Sequence, residues 1–225
     1  MIDPLQTFDW ASLYEKYDRA CIGFQPENES LYAFDPPPKT DRALYYSLID
    51  RVASEVNAQG RISIGSYEAI LYWKLYSQPA AVANVCKSIR KKKDRQTSIS
   101  VEVAKLEWAA DLKRDISDLI SQLEVLKKAK LFGMRSKTAF PTKMTLLHFI
   151  YPDVVPIFDK MVLKAVGVDD NNANQNLAFL KKYVPHSWQM AERHKDKMVG
   201  LKESPLRAID MALWVIRGKD TKKCS

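Results

Sequence analysis

Glycine is scarce in this chain, seven in 225 residues, and runs in which apolar and polar residues alternate are nearly absent. A sheet-rich fold depends on both, so the pattern excludes it as a reading. Cysteine is scarce too. Cys21, Cys86 and Cys224 are odd in number and widely spaced, which supports neither a disulfide framework nor a paired-ligand zinc site. They read as reduced thiols. His148, His186 and His194 are too sparse for a metal centre, and no metal or other cofactor is expected. No apolar stretch approaches the roughly twenty residues that span a bilayer. The opening MIDPLQTFDW lacks the basic start and apolar core of a secretory signal. A cytoplasmic protein with no membrane partner is the expectation.

What the chain does have is apolar residues recurring at three- and four-residue steps almost throughout, the period of amphipathic helices. With 46% hydrophobic and 28% charged residues, it has the composition of a soluble globular protein long enough to bury a core. The fold class expected is all-α, about nine helices in one compact globule or two closely packed lobes. Residues 1–39 read as a first helix and a proline-rich connector, 40–130 as central helices, and 131–225 as a hairpin, a proline-bounded loop and C-terminal helices. A monomer is expected.

Local signals place the elements. A short helix is predicted from Asp9 to Cys21, and Pro26 with Pro36 to Pro38 makes the next stretch extended. Thr40 caps a second helix that Gly60 ends, and Ser66 caps a third, YEAILYWKLYSQ, whose Tyr67, Tyr72, Trp73 and Tyr76 suit core or a ligand wall. Pro79 suits the start of a fourth. From Val101 to Lys130 the stripe Leu112, Ile116, Leu119, Leu123 and Leu126 predicts one long helix or two in tandem. Helices are predicted again over Asn174–Tyr183 and Pro185–Met198. In the last one Ser204 is the N-cap, Pro205 the first residue and Gly218 the stop.

The formal charge is +8, gathered in KSIRKKKDR from Lys87, in KKAK from Lys127 and in the closing KDTKKCS. Clustered cations favour a polyanion, because each one near a phosphate releases condensed counterions. A solvated helix face with a basic tail is the other reading of the same runs. Lys91, Lys92 and Lys93 are the candidates for backbone contact in the first run.

The passage AFPTKMTLLHFIYPDVVPIFDKMV, from Ala139 to Val162, is the least ordinary. Pro141 opens a helix, since its missing N–H needs no intrahelical partner there, and Lys143 falls in the first turn. Pro152 ends that helix near Tyr151. Asp159 then lies at the start of the next helix, where free backbone amides and the helix dipole favour the anion. It reads either as a plain N-cap or as a carboxylate that also faces a cleft. His148 reads as a hydrogen-bonded core histidine or as a cleft residue. Asn171, Asn172 and Asn174 suit a loop or base-edge contacts.

The segment 112–166 resembles the helix-hairpin-helix DNA glycosylase superfamily: PTKMTLLHF is followed by YPDVVPIFDKMV, with Asp159 three residues before Val162. The closing LRAIDMALWVIRG also looks like the final helix of small prokaryotic proteins with this kind of aspartate loop. The family's hairpin pattern, Leu-x-Gly-Val-Gly-x-Lys-Thr-Ala, is matched by LFGMRSKTA from Leu131, which keeps Gly133, Lys137, Thr138 and Ala139 but has Arg135 in place of the second glycine. The resemblance implies release of a damaged or modified base from double-stranded DNA, with the target flipped out of the stack. Asp159 is then the carboxylate that stabilises positive charge on the sugar. Lys143, sixteen residues before it, is the preferred nucleophilic lysine, and Lys137 is the alternative. Gly133, Arg135 and Lys137 are implied backbone contacts. Trp73, Tyr76, Trp108 and Tyr151 are the candidate base-pocket aromatics. Base excision repair and defence against phage with modified DNA both fit, and so does a fold of this kind kept as a non-catalytic DNA-binding or protein-interaction domain.

Overall fold

The computed structural model describes residues 1–21, 23–25, 34–78, 80–84, 114–128 and 138–220. Among them there is no strand, and the chain folds as packed helices. The α-helices are α1 (Leu13–Ala20), α2 (Asp41–Gln59), α3 (Ile64–Leu75), α4 (Ile116–Lys128), α5 (Phe140–Ile150), α6 (Lys160–Ala165), α7 (Leu177–His194) and α8 (Pro205–Asp220). Short 3-10 turns cover Trp10–Ser12, Ala173–Gln175 and Lys195–Met198, and residues 80–84 are helical. The basic run with Lys91, Lys92 and Lys93, Trp108, and the hairpin segment with Gly133, Arg135 and Lys137 lie outside the described residues.

Two helices form the middle of the structure. In α3 Ser66, Tyr67 and Ala69 to Trp73 are buried, and in α5 every residue from Lys143 to Phe149 is buried, as expected of helices covered on all sides. Both pack on α2, which contributes Leu44, Tyr45, Leu48 and Val52. Helix α8, buried at every residue from Leu206 to Leu213, packs against α1, α6 and α7.

Several boundaries follow from local chemistry. Thr40 Oγ1 accepts the Ala43 N–H at 3.1 Å, and Gly60, at φ 63°, closes α2 in the left-handed conformation that suits glycine. Pro141 sits in the first turn of α5, and Tyr151 caps its end. Ser204 Oγ accepts the Arg207 N–H at 3.3 Å at the start of α8.

Three boundaries differ from expectation. The cap of α3 is Ser63, not Ser66. Ser63 Oγ accepts the Ser66 N–H, and the Glu55 carboxylate at the end of α2 accepts from both hydroxyls and from the Ser63 N–H. The predicted break at Pro185 is absent, and α7 runs through it. Leu180, Tyr183, Val184, Ser187, Met190 and Ala191 form one buried stripe on both sides of the proline, and that burial outweighs the lost backbone bond. Gly218 lies inside α8 rather than ending it. A helical glycine costs only about 1 kcal/mol, less than the packed face of the helix contributes.

Candidate active site

The site begins with how the loop between α5 and α6 is held. Val154 and Val155 N–H groups both return to Tyr151 O, at 3.1 and 2.9 Å. Ser204 Oγ–H donates to Pro152 O at 2.9 Å, and Trp188 Nε1–H donates to Val154 O at 2.7 Å. His148, fully buried, donates from Nδ1 to Val155 O at 2.6 Å and accepts from Tyr45 O–H through Nε2 at 2.9 Å. Burial first, then the positive charges of Arg207 and Lys74, push the imidazole down to about 3 against the bond to Val155, so it is neutral. His148 is a core residue that fixes the loop. Val155, Ile157 and Phe158 are buried beside it, and the loop delivers Asp159 to the start of α6.

Asp159 is the N-cap of α6: Oδ1 accepts from Met161 N–H at 2.8 Å and from Val162 N–H at 3.0 Å. Its other oxygen, Oδ2, accepts from Lys74 Nζ at 2.9 Å. The two side chains are 18% and 10% exposed, so this ion pair is largely withdrawn from water. Burial by itself raises the carboxyl, but the Lys74 charge and the hydrogen bonds from Val162, Lys74 and Met161 outweigh it and hold Asp159 below the ordinary carboxylate value. Asp159 is an anion with both oxygens engaged.

That pair opens onto a cavity lined by Tyr17, Asp41, Trp73, Tyr76, Ile157, Arg207, Asp210 and Trp214 among others. The free space between the side chains is narrow, about 40 Å³, enough for one or two waters. Arg207, 1% exposed, is the anchor. Its guanidinium donates to Asp210, to Tyr17 Oη at 2.7 Å and to Asp41 at 3.2 Å, and lies 4.6 to 5.0 Å from the ring centres of Tyr45, Trp73 and Tyr17. Tyr17 O–H also donates to Asp41 at 2.8 Å.

The three carboxylates of the cavity are not equivalent. Burial raises Asp41 against the pull of Arg207. Asp210 is raised to about 6, again by burial first, with Arg207 opposing and the Asp159 charge adding to the rise. Asp159 and Asp210 are therefore pushed apart, one firmly ionised and one close to neutral pH. Arg207 Nε is buried without a hydrogen-bond partner among the described residues, whereas the Trp73 indole interacts with the Asp41 carboxylate and opposes its rise.

Of the residues picked out from the sequence, Asp159, Trp73 and Tyr76 come together here. Lys143 does not meet Asp159: it is 1% exposed within α5 and is not among the residues that line the cavity. The lysine at Asp159 is Lys74. Tyr151, at the end of α5, is half-buried and lies outside the cavity lining. Asn172 and Asn176 line a separate groove with Thr138, Phe140 and Asp170. Among the described residues no group of histidine, cysteine, aspartate and glutamate has the arrangement to hold a metal, and no helix is long and apolar enough to cross a membrane.

Sequence reasoning missed Lys74, Asp41, Arg207, Asp210 and Trp214. A signal for the last three existed: they stand at steps of three and four on α8, so two charges fall on a helix rich in buried apolar residues. No known protein family, curated protein or solved structure matches this chain. The likeness of 112–166 to the helix-hairpin-helix glycosylases rests on its motif residues alone.

Proposed function

We propose that this protein is a DNA glycosylase that releases a damaged or modified base, with Asp159 as the carboxylate that supports the reaction. The observation that carries the reading is the state of Asp159: an anion fixed by two backbone amides and Lys74 at the edge of an aromatic-walled cavity. Breaking the bond between base and deoxyribose builds positive charge on the sugar, and a pre-oriented carboxylate stabilises that charge without reorganising. The cavity suits such a charge. Among its described residues, Asp41, Asp159 and Asp210 stand against Lys74 and Arg207, an acidic pocket in a chain of net charge +8. The basic excess suits the DNA backbone, and the acidic pocket suits the oxocarbenium-like sugar.

Trp73, Tyr76 and Trp214 supply the stacking walls in this reading, and a role in base excision repair or in defence against phage with modified DNA follows from which base is accepted. The test is base release from a panel of damaged, natural and phage-modified DNAs by the wild type and by Asp159→Asn, which keeps the shape of the cap. The variant is expected to lose release and keep DNA affinity. Release at the wild-type rate by Asp159→Asn overturns the role of Asp159.

A non-catalytic helical DNA-binding or protein-interaction domain is the second reading, and one observation favours it. The cavity's free space of about 40 Å³ is smaller than a nucleobase, so a flipped base enters only if side chains such as Trp214, which is half-buried, move aside. Absence of release from every DNA in the panel, with DNA binding intact, selects this reading.

A further inference from the structure

We propose that the cavity between the N-terminal segment, α6 and α8 binds a small amphipathic carboxylate, an apolar chain ending in one anionic head. Its free space is about 480 Å³, against about 40 Å³ beside Asp159, and falls in the range usual for small-molecule sites. Ile2, Pro4, Met161 and Ile216 give it apolar walls, and Lys164 and Arg217 are its charged residues. No carboxylate lines it among the described residues.

The two cations select the head. Lys164 is exposed and Arg217 half-buried, and neither side chain has a hydrogen-bond or ion-pair partner among the described residues. The Arg217 guanidinium is already placed, 3.9 Å from the centre of the Trp214 ring. Stacking holds the plane of a fork that matches the two oxygens of a carboxylate. The Lys164 ammonium adds charge without that geometry.

The walls select the rest of the ligand. Ile2 is 60% exposed, unusual for a large apolar side chain among the described residues, yet its backbone is held on both sides. Its N–H donates to Val166 O at 3.0 Å, and its carbonyl accepts from His186 Nε2–H at 2.9 Å. Asp3, next in the chain, accepts from Arg193, His194 and the Leu5 N–H. The wall is thus fixed in place while its apolar face stays in water, and an apolar chain laid against it releases that water. A bare inorganic anion leaves the walls wet, and a neutral alkane leaves two cations unpaired.

The cavity adjoins the Asp159 site without sharing its charged groups. Met161 lines it, and the Met161 N–H is one of the two amides that hold Asp159 Oδ1. Trp214, against which Arg217 stacks, lines the Asp159 cavity. Asp159, Lys74 and Arg207 do not line this one.

The experiment is calorimetric titration of the full chain with sodium decanoate below its micelle concentration, with acetate and decanol as probes of the head and the tail alone. One decanoate per chain is expected, with amide NMR shifts centred on Ala165 and Gly167, which also line the cavity. Acetate and decanol are each expected to bind at least about tenfold more weakly, since each lacks one half of the recognition. Arg217→Gln and, separately, Lys164→Gln are expected to weaken decanoate about tenfold, the scale of one charge-assisted hydrogen bond. Arg19→Gln, which removes an exposed cation on α1, is expected to leave binding unchanged. Lys164 is exposed, so its variant reads binding without disturbing the core. No decanoate binding, decanol binding as well as decanoate, an equal loss in Arg19→Gln, or shifts centred elsewhere overturns the proposal. Displacement of decanoate by a short DNA duplex also overturns it and assigns the two cations to the DNA backbone. A dimer that decanoate dissociates, seen by sedimentation, overturns it in favour of a second copy of the chain on these walls.

Discussion

Lys74 and Asp159 lie 85 residues apart in the chain and meet at 2.9 Å, with the carboxylate also capping α6. One side chain thus serves helix start, ion pair and cavity wall together. A double-mutant cycle with Lys74→Met and Asp159→Asn, read by urea denaturation, is expected to return a coupling of roughly 0.5–3 kcal/mol. Additive effects of the two changes contradict the pairing.

Arg207 is expected to be the most sensitive polar position of the described core. It is buried with Asp41 and Asp210 and bonded to Tyr17, so Arg207→Ala leaves two carboxylates buried without their cation. Removing one partner of such a group costs about 3–5 kcal/mol. A fall in the denaturation midpoint no larger than that of an exposed control such as Arg19→Ala speaks against a structural role for the cluster.

His148 makes stability depend on acid. Its folded pKa is depressed from 6.5 to about 3, so the unfolded chain takes up a proton at this site before the folded one does. The stabilisation is complete above pH 6.5 and is lost as pH falls toward 3, at a limiting slope of about 1.4 kcal/mol per pH unit. His148→Gln is expected to be less stable at pH 7 and to lose less on acidification to pH 4. Equal slopes in the two proteins contradict a neutral buried His148. An NMR titration of the ring is expected to show no protonation between pH 5 and 8.

DNA affinity is expected to depend steeply on salt. With a net charge of +8 and six or more phosphates neutralised, affinity falls by roughly 10³-fold or more between about 50 and 200 mM salt. Fluorescence anisotropy on a labelled duplex measures it. Binding that is absent, or indifferent to salt, removes DNA as the partner and with it the proposed activity.

Much of the fold was legible because it is written in short-range chemistry. Thr40, Gly60, Pro141, Asp159 and Ser204 each set a helix boundary through the backbone groups of their own turn, and such bonds need no knowledge of the rest of the chain. The misses share a cause. Ser63 displaced Ser66 as a cap because Glu55 reaches it from another helix, Pro185 was tolerated because α7 is buried on both sides of it, and Gly218 was carried by the packing of α8.

The same division runs through the candidate site. The helical class, the cap at Asp159 and the aromatic character of α3 could be read along the chain, because periodicity, capping and the prolines act within a few residues. Which cation meets Asp159 and which carboxylates share its cavity depended on packing between distant segments. Lys74, Asp41, Arg207 and Asp210 come from three helices, and their charges were brought together by the burial of apolar faces that carry no record of what lies opposite. The motif pointed to Lys143 because it stands near Asp159 along the chain. The packing of α3 against α5 buried that lysine and set Lys74 at the carboxylate.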